Sequence, residues 1–168
     1  HVTDERALAK LDEHAARLTN RTEGTDILQV FKATRADGTD PRTGTIDYAR
    51  ALETGEPIEI ADDYQGVCEC GSPHRGCCGP QTVCGVGLHV SHDPVVAMRK
   101  SGTIPLKPVR FFACAVERGD VIASDDEKMR VRRLHVVDEL SQEDVFGAPL
   151  AERIARVRAE IETWKAIP

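Results

Sequence analysis

The segment Val109-Arg110-Phe111-Phe112-Ala113-Cys114-Ala115-Val116-Glu117 carries an unbroken apolar run between Arg110 and Glu117. A strand with one wet face alternates apolar and polar side chains, whereas a strand covered on both faces reads as continuous apolar sequence. The segment is therefore expected to be a central strand with structure packed on each side. Cys114, in its middle, is expected to be a buried and inert thiol, a small hydrophobe rather than a ligand.

Punctuation on either side gives the flanking elements. Downstream, Arg118-Gly119-Asp120 forms a turn, Val121 to Ala123 returns as a strand, Ser124-Asp125-Asp126 is a polar connection and Val131 to Val137 reads as a further strand. Upstream, Asp93-Pro94 is an N-cap followed by proline at the first helical position, predicting a short helix to Lys100 with Gly102 as terminator. Val86 to Ser91 is strand-like, Pro57 to Ile60 suits a short strand, and Ile46 to Glu53 is a short helix closed by Gly55. The turn formers Asp37-Gly38 and Asp40-Pro41 separate that helix from a strand over Asp26 to Arg35. At the ends, Thr3 to Leu18 places Leu8, Leu11, Ala15 and Leu18 on one helical face, while Ser141 with Asp144 resembles a capping box. Pro149 then opens a last helix carrying Leu150, Ile154, Val157, Ile161 and Trp164. That narrow seam calls for a partner, either the N-terminal helix or the same seam of a second copy in a homodimer. The expected architecture is a single α+β domain with a mixed, mainly antiparallel sheet, divided into an N-terminal helix and linker (1–25), a core (26–140) and a C-terminal helix (141–168).

Composition narrows the function. The 168 residues carry a net charge of −6, and the basic residues nowhere collect into a run that could track a phosphate backbone, which argues against nucleic-acid binding. No segment approaches the roughly 20 apolar residues of a membrane span, and His1-Val2-Thr3-Asp4-Glu5 lacks a signal-peptide pattern, so a soluble cytoplasmic protein is expected. Aromatic residues make up only 4% of the chain, leaving aliphatic side chains to build the core.

The cysteines are unevenly placed: Cys68, Cys70, Cys77, Cys78 and Cys84 share the Gly- and Pro-rich loop 62–85, while Cys114 stands apart. The loop has almost no aliphatic side chains, so something other than burial must order it. A dense cysteine group in a reducing compartment points to a metal, and tetrahedral zinc needs four ligands. Cys68, Cys70, His74, Cys77, Cys78 and Cys84 exceed that number and His89 is within reach in sequence, so the set is not assigned; disulfides are the competing reading. The zinc-deaminase and His-Glu-x-x-His patterns are absent, so a zinc here is expected to be structural.

The combination of Gln29-Val30-Phe31-Lys32-Ala33, Val83-Cys84-Gly85-Val86-Gly87-Leu88-His89-Val90-Ser91 before a Pro-containing helix, Val116-Glu117-Arg118-Gly119-Asp120-Val121, and Arg132-Arg133-Leu134-His135-Val136-Val137-Asp138-Glu139-Leu140 resembles an uncharacterised domain family of bacteriophage proteins. Members join a Phe-Lys-Ala strand, a Cys-x-x-Gly-x-His turn and a Val-x-Glu-Leu-like strand end. The resemblance spans about Ile27 to Leu140, leaves out both terminal helices and implies no established activity. If the chain is phage-encoded, the expected compartment is the host cytoplasm.

A second resemblance bears on chemistry. A strand ending in Arg35, the Gly87-Leu88-His89-Val90-Ser91 strand before the Asp93-Pro94 helix, a buried strand and then an acidic pair is similar to the layout of ADP-ribosyltransferase folds. That resemblance implies NAD as cofactor, with Arg35 anchoring its phosphates, Ser91 supporting the nicotinamide ribose and Glu127 stabilising the oxocarbenium-like transition state. Asp125 stands for the second acidic residue and His89 is an alternative anchor. Each also has a bland reading: Arg35 as a solvated strand-end charge, Ser91 as a helix cap, Glu127 as a loop carboxylate. The expectation is a zinc-stabilised ADP-ribosyltransferase-like domain passing ADP-ribose from NAD to an acceptor. Its alternative is a non-catalytic, zinc-binding phage accessory or virion protein acting as a protein-interaction module.

Overall fold

The computed structural model describes residues 27–60, 87–102 and 107–166. The helix expected at Thr3 to Leu18 and the Cys-rich loop 62–85 lie outside the described residues. Within them the strands are β1 (Ile27–Arg35), β2 (Ile58–Glu59), β3 (Leu88–Ser91), β4 (Val109–Glu117), β5 (Val121–Ser124), β6 (Lys128–Val131) and β7 (Arg133–Leu140). The helices are α1 (Tyr48–Thr54), α2 (Pro94–Lys100), α3 (Gln142–Phe146) and α4 (Ala148–Lys165), with a 3-10 turn at Arg118–Asp120. The strands form a seven-stranded sheet in the order β2-β7-β4-β1-β3-β6-β5, and each described pairing is antiparallel. The fold is a single α+β domain.

β4 is the expected two-faced strand. It pairs with β1 along its whole length, from Ile27 opposite Glu117 to Arg35 opposite Val109. The strand period of two divides its side chains between two cores. Phe112, Cys114 and Val116 join Leu28, Val30, Leu88, Val90, Met129, Val131 and Leu134 in one cluster, which α1 closes with Tyr48 and Ala51. Val109, Phe111 and Ala113 join Phe31, Ala33 and the α2 residues Ala97 and Met98 in the other, against which Val145 and Phe146 of α3 pack.

The stretch from Val131 to Val137, expected as one strand, is divided at Arg132 between two partners. β6 pairs with β3 and β5, whereas β7 pairs with β4 and β2. In a flat sheet β6 and β7 would lie four places, or about 19 Å, apart. Residues 131 and 133 are two Cα steps apart, at most about 7 Å, so the sheet must curl around the first cluster. Arg132 is anchored at the corner: its N–H donates to the carbonyl of Asp120 (2.8 Å) and its carbonyl accepts from Ile60 (3.0 Å). A second irregularity lies between β4 and β7, where Cys114 faces Val136 but Ala113 faces Asp138, leaving Val137 as the extra residue of a bulge and 52% exposed.

The helix signals are realised at the side-chain level. Asp93 accepts from the N–H groups of Val95 (2.8 Å) and Val96 (3.1 Å) at the start of α2, and Ser141 and Asp144 form a reciprocal capping box at α3. The helix expected from Ile46 begins at Tyr48, because Asp47 supplies its N-cap, accepting from Arg50 (2.9 Å). Gly38, in the turn before it, has φ +85°, and a Cβ there would come within 2.5 Å of the Ala49 Cβ, so this turn requires glycine.

Candidate functional site: a cleft between β1 and β3

β3 pairs with β6 along all four of its residues but meets β1 at one register pair only, Phe31 with Ser91. Beyond that pair the ladder between the two strands does not continue, and a cleft opens there. The cleft is lined by Lys32, Arg42, Lys100 and Lys128, by His89, and by the hydroxyl side chains of Thr43, Ser91 and Ser101, with Asp40 as its carboxylate and Phe31, Ile46 and Tyr48 among its apolar walls.

Lys32 forms the floor. The strand period places it on the same side of β1 as Leu28 and Val30, so its ammonium enters the core side and must find partners there. It pairs with Asp40 at 2.9 Å, donates to the carbonyl oxygen of His89 at 3.1 Å and lies 5.5 Å from the centroid of the Tyr48 ring. Tyr48 is itself fully buried and stacked on Phe112 at 6.2 Å. The second carboxylate oxygen of Asp40 accepts from the N–H groups of Arg42 (3.1 Å) and Thr43 (2.9 Å) and from the Thr43 hydroxyl (3.2 Å). Burial pushes the Asp40 carboxyl up, but the Lys32 ammonium and the loop hydrogen bonds more than offset this and hold it at about 2. The pair thus clamps the loop from Asp40 to Thr45 onto β1.

Ser91 and Glu127 come together at one end of the cleft. Ser91 is buried in the sheet opposite Lys128, and the next residue, His92, directs its N–H to the Glu127 carbonyl at 3.5 Å. Asp125 shapes the turn by accepting from the N–H groups of Glu127 (2.8 Å) and Lys128 (2.9 Å). The Glu127 carboxylate stands outside the lining: it is exposed and ion-paired with Arg99 and Lys100 of α2. The Lys100 hydrogen bond, with the field of both cations, holds it below the usual glutamate range.

Arg35 does not join them. It lies four residues beyond Phe31, about 13 Å further along β1. Its guanidinium donates to the Pro41 carbonyl at 2.9 Å and lies against Gly44, where a Cβ would come within 2.7 Å of Nη1. It braces the outside of the loop whose inner side lines the cleft. His89 and Ser91 are therefore the two resemblance-derived positions in the lining, Glu127 stands at the rim, and Arg35 is behind the wall. The six zinc candidates Cys68, Cys70, His74, Cys77, Cys78 and Cys84 lie outside the described residues; among the described residues no group of three or more potential ligands converges.

The residues that sequence reasoning missed are Lys32 and Asp40. Lys32 carried a signal: a lysine between Phe31 and Ala33, on the core face of an apolar strand, requires a polar partner, but Asp26, Asp37 and Asp40 all lie within eight residues of it and nothing local selects Asp40. Lys100 and Lys128 carried no such mark, because their positions at the cleft depend on how α2 and β6 pack. Among the described residues no helix is long and apolar enough to cross a membrane. Neither a protein-family model, nor a curated protein, nor a solved structure matches the chain.

Proposed function

We propose that this is an ADP-ribosyltransferase-like domain that binds NAD, or a nucleotide with the same pyrophosphate, in the cleft between β1 and β3. The observation that carries the reading is the lining: four cationic side chains and the hydroxyls of Thr43, Ser91 and Ser101 against Asp40, which pairs with Lys32, and Glu127 at the rim, which pairs with Lys100, a net of two positive charges in a chain whose net charge is −6. A local excess of positive charge on an acidic protein favours a phosphate-bearing ligand, and low-dielectric walls strengthen the attraction. Ser91 suits a ribose hydroxyl, with His89, Lys100 and Lys128 on the phosphate side. ADP-ribosyl transfer to an acceptor further requires a carboxylate near the anomeric carbon, where positive charge builds as nicotinamide leaves. Glu127 takes that role by exchanging Lys100 and Arg99 for the reacting sugar.

The test is titration with NAD. At a hundredfold excess over its Kd, NAD should stabilise the fold by about 2.7 kcal/mol, seen as a rise in Tm. Ser91→Ala should weaken binding about threefold to tenfold, the loss of one hydrogen bond. Nicotinamide release that vanishes in Glu127→Gln, with NAD affinity retained, supports transfer. No thermal shift with NAD, ADP-ribose or ADP sinks the reading.

A second reading, the non-catalytic interaction module, is favoured by α4, which leaves Leu150 46% and Trp164 66% exposed while burying Ile154. In either case we propose a structural zinc held by four of the six candidate ligands of the Cys-rich loop, on the evidence of their spacing. One equivalent of zinc by elemental analysis supports it, and metal-free protein with paired cysteines rejects it.

A further inference from the structure

Alternation along an antiparallel ladder directs every second residue of a strand to the same neighbour. Ser91 faces β1, where it pairs with Phe31, and His92 faces the other way, its N–H directed to Glu127 beside β6. His89 therefore also faces β1, and continuation of the ladder would pair it with Ala33. No such pair forms, and the His89 carbonyl accepts from the Lys32 ammonium instead, at 3.1 Å.

We propose that Lys32 is a positioning residue that holds the sheet open: its ammonium occupies the carbonyl that the ladder would otherwise offer to the Ala33 N–H, and the opening so maintained is the ligand cleft. The arrangement is rigid enough to act as a wedge. The ammonium has three protons, and Asp40, the His89 carbonyl and the face of Tyr48 account for three directions around it. Asp40 is in turn fixed by three hydrogen bonds from its own loop, and Tyr48 by its stacking on Phe112. Lys32 is therefore not a ligand for phosphate. It neutralises Asp40 and sets the width of the gap. An apolar side chain at this position would leave the His89 carbonyl to the Ala33 N–H, its partner in the continued ladder register.

The experiment compares wild type, Asp40→Asn and the double variant Lys32→Met/Asp40→Asn by NMR with carbon and nitrogen labelling. The double variant removes both charges together, so neither is left buried alone. In wild type, which needs no variant to fold, coupling through the hydrogen bond should link the Lys32 ammonium to the His89 carbonyl, and none should link the Ala33 amide to it. In the double variant that Ala33 coupling should appear, and the Ala33 amide should exchange with solvent at least tenfold more slowly relative to global opening. NAD is the probe for the cleft, a readout that rests on the nucleotide reading: its Kd should rise more than tenfold in the double variant and less in Asp40→Asn, which keeps the wedge. Ala33 coupled to His89 already in wild type, or Ala33 exchange unchanged in the double variant, overturns the role of Lys32. Wild-type protein that ignores NAD, with the amide changes as described, overturns the nucleotide reading and leaves the wedge standing.

Discussion

Cys114 and Asp40 are buried within reach of the same ammonium and answer it differently. Cys114 is fully enclosed, and burial pushes its thiol up to about 12 despite the opposing influence of Lys32. The thiolate is the reactive species, so Cys114 should be spared by a bulky thiol reagent on native protein and modified only after denaturation. Rapid native labelling at Cys114, read by peptide mass spectrometry, would contradict its enclosure. Asp40 is held near 2, below its usual 3.8, so the unfolded chain takes up the proton first as pH falls. Its stabilisation is complete above about pH 4 and is lost as pH drops toward 2, an effect of about 2 kcal/mol. Acid titration of stability should show that loss in wild type and not in Asp40→Asn. Lys32→Met alone leaves the carboxylate buried without its cation and should cost about 3–5 kcal/mol, measured by denaturant unfolding. Lys32 was legible as an anomaly, a charge on the core face of β1, but its partner was not, because Asp40 reads equally well as an ordinary turn residue.

Among elements, the helices were the most legible, since their signals are local. Asp93 with Pro94 and Ser141 with Asp144 cap α2 and α3 as their spacing implies. Asp93→Ala should cost about 1 kcal/mol, lowering Tm by about 2–4 °C in a protein of this size. Because α2 carries both Ala97 of the second core and Lys100 of the cleft, the same variant should also weaken the NAD binding proposed for the cleft; unchanged affinity would separate the cap from the cleft. The strands were legible in position and not in pairing. β4 was recognisable because burial on both faces removes alternation. The break at Arg132 left no such trace: Val131 and Leu134 both point into the first cluster, so the apolar pattern runs through the corner while the partners change.

For the whole molecule, the curl of the sheet brings β1, β3, α2 and the loop after β1 around one opening, and charge collects there although the chain is acidic overall. At the far end of α4, Trp164 is two-thirds exposed. As the sole tryptophan, it should show solvent-like emission and ready quenching by acrylamide in dilute protein. A blue shift on concentration, with a doubled mass by light scattering, would establish the homodimer through this helix; emission that ignores concentration would exclude it. The sequence by itself determined the α+β class, the two-faced β4, the caps and the fate of Cys114, because each follows from the period of apolar residues or from contacts within a few positions. Only the tertiary structure decided the curl at Arg132, the parting of β1 from β3, the separation of Arg35 from Ser91, and the pairing of Glu127 with α2. Those outcomes join residues far apart in the chain, and their energy lies in shared burial and in ion pairs that no local pattern encodes.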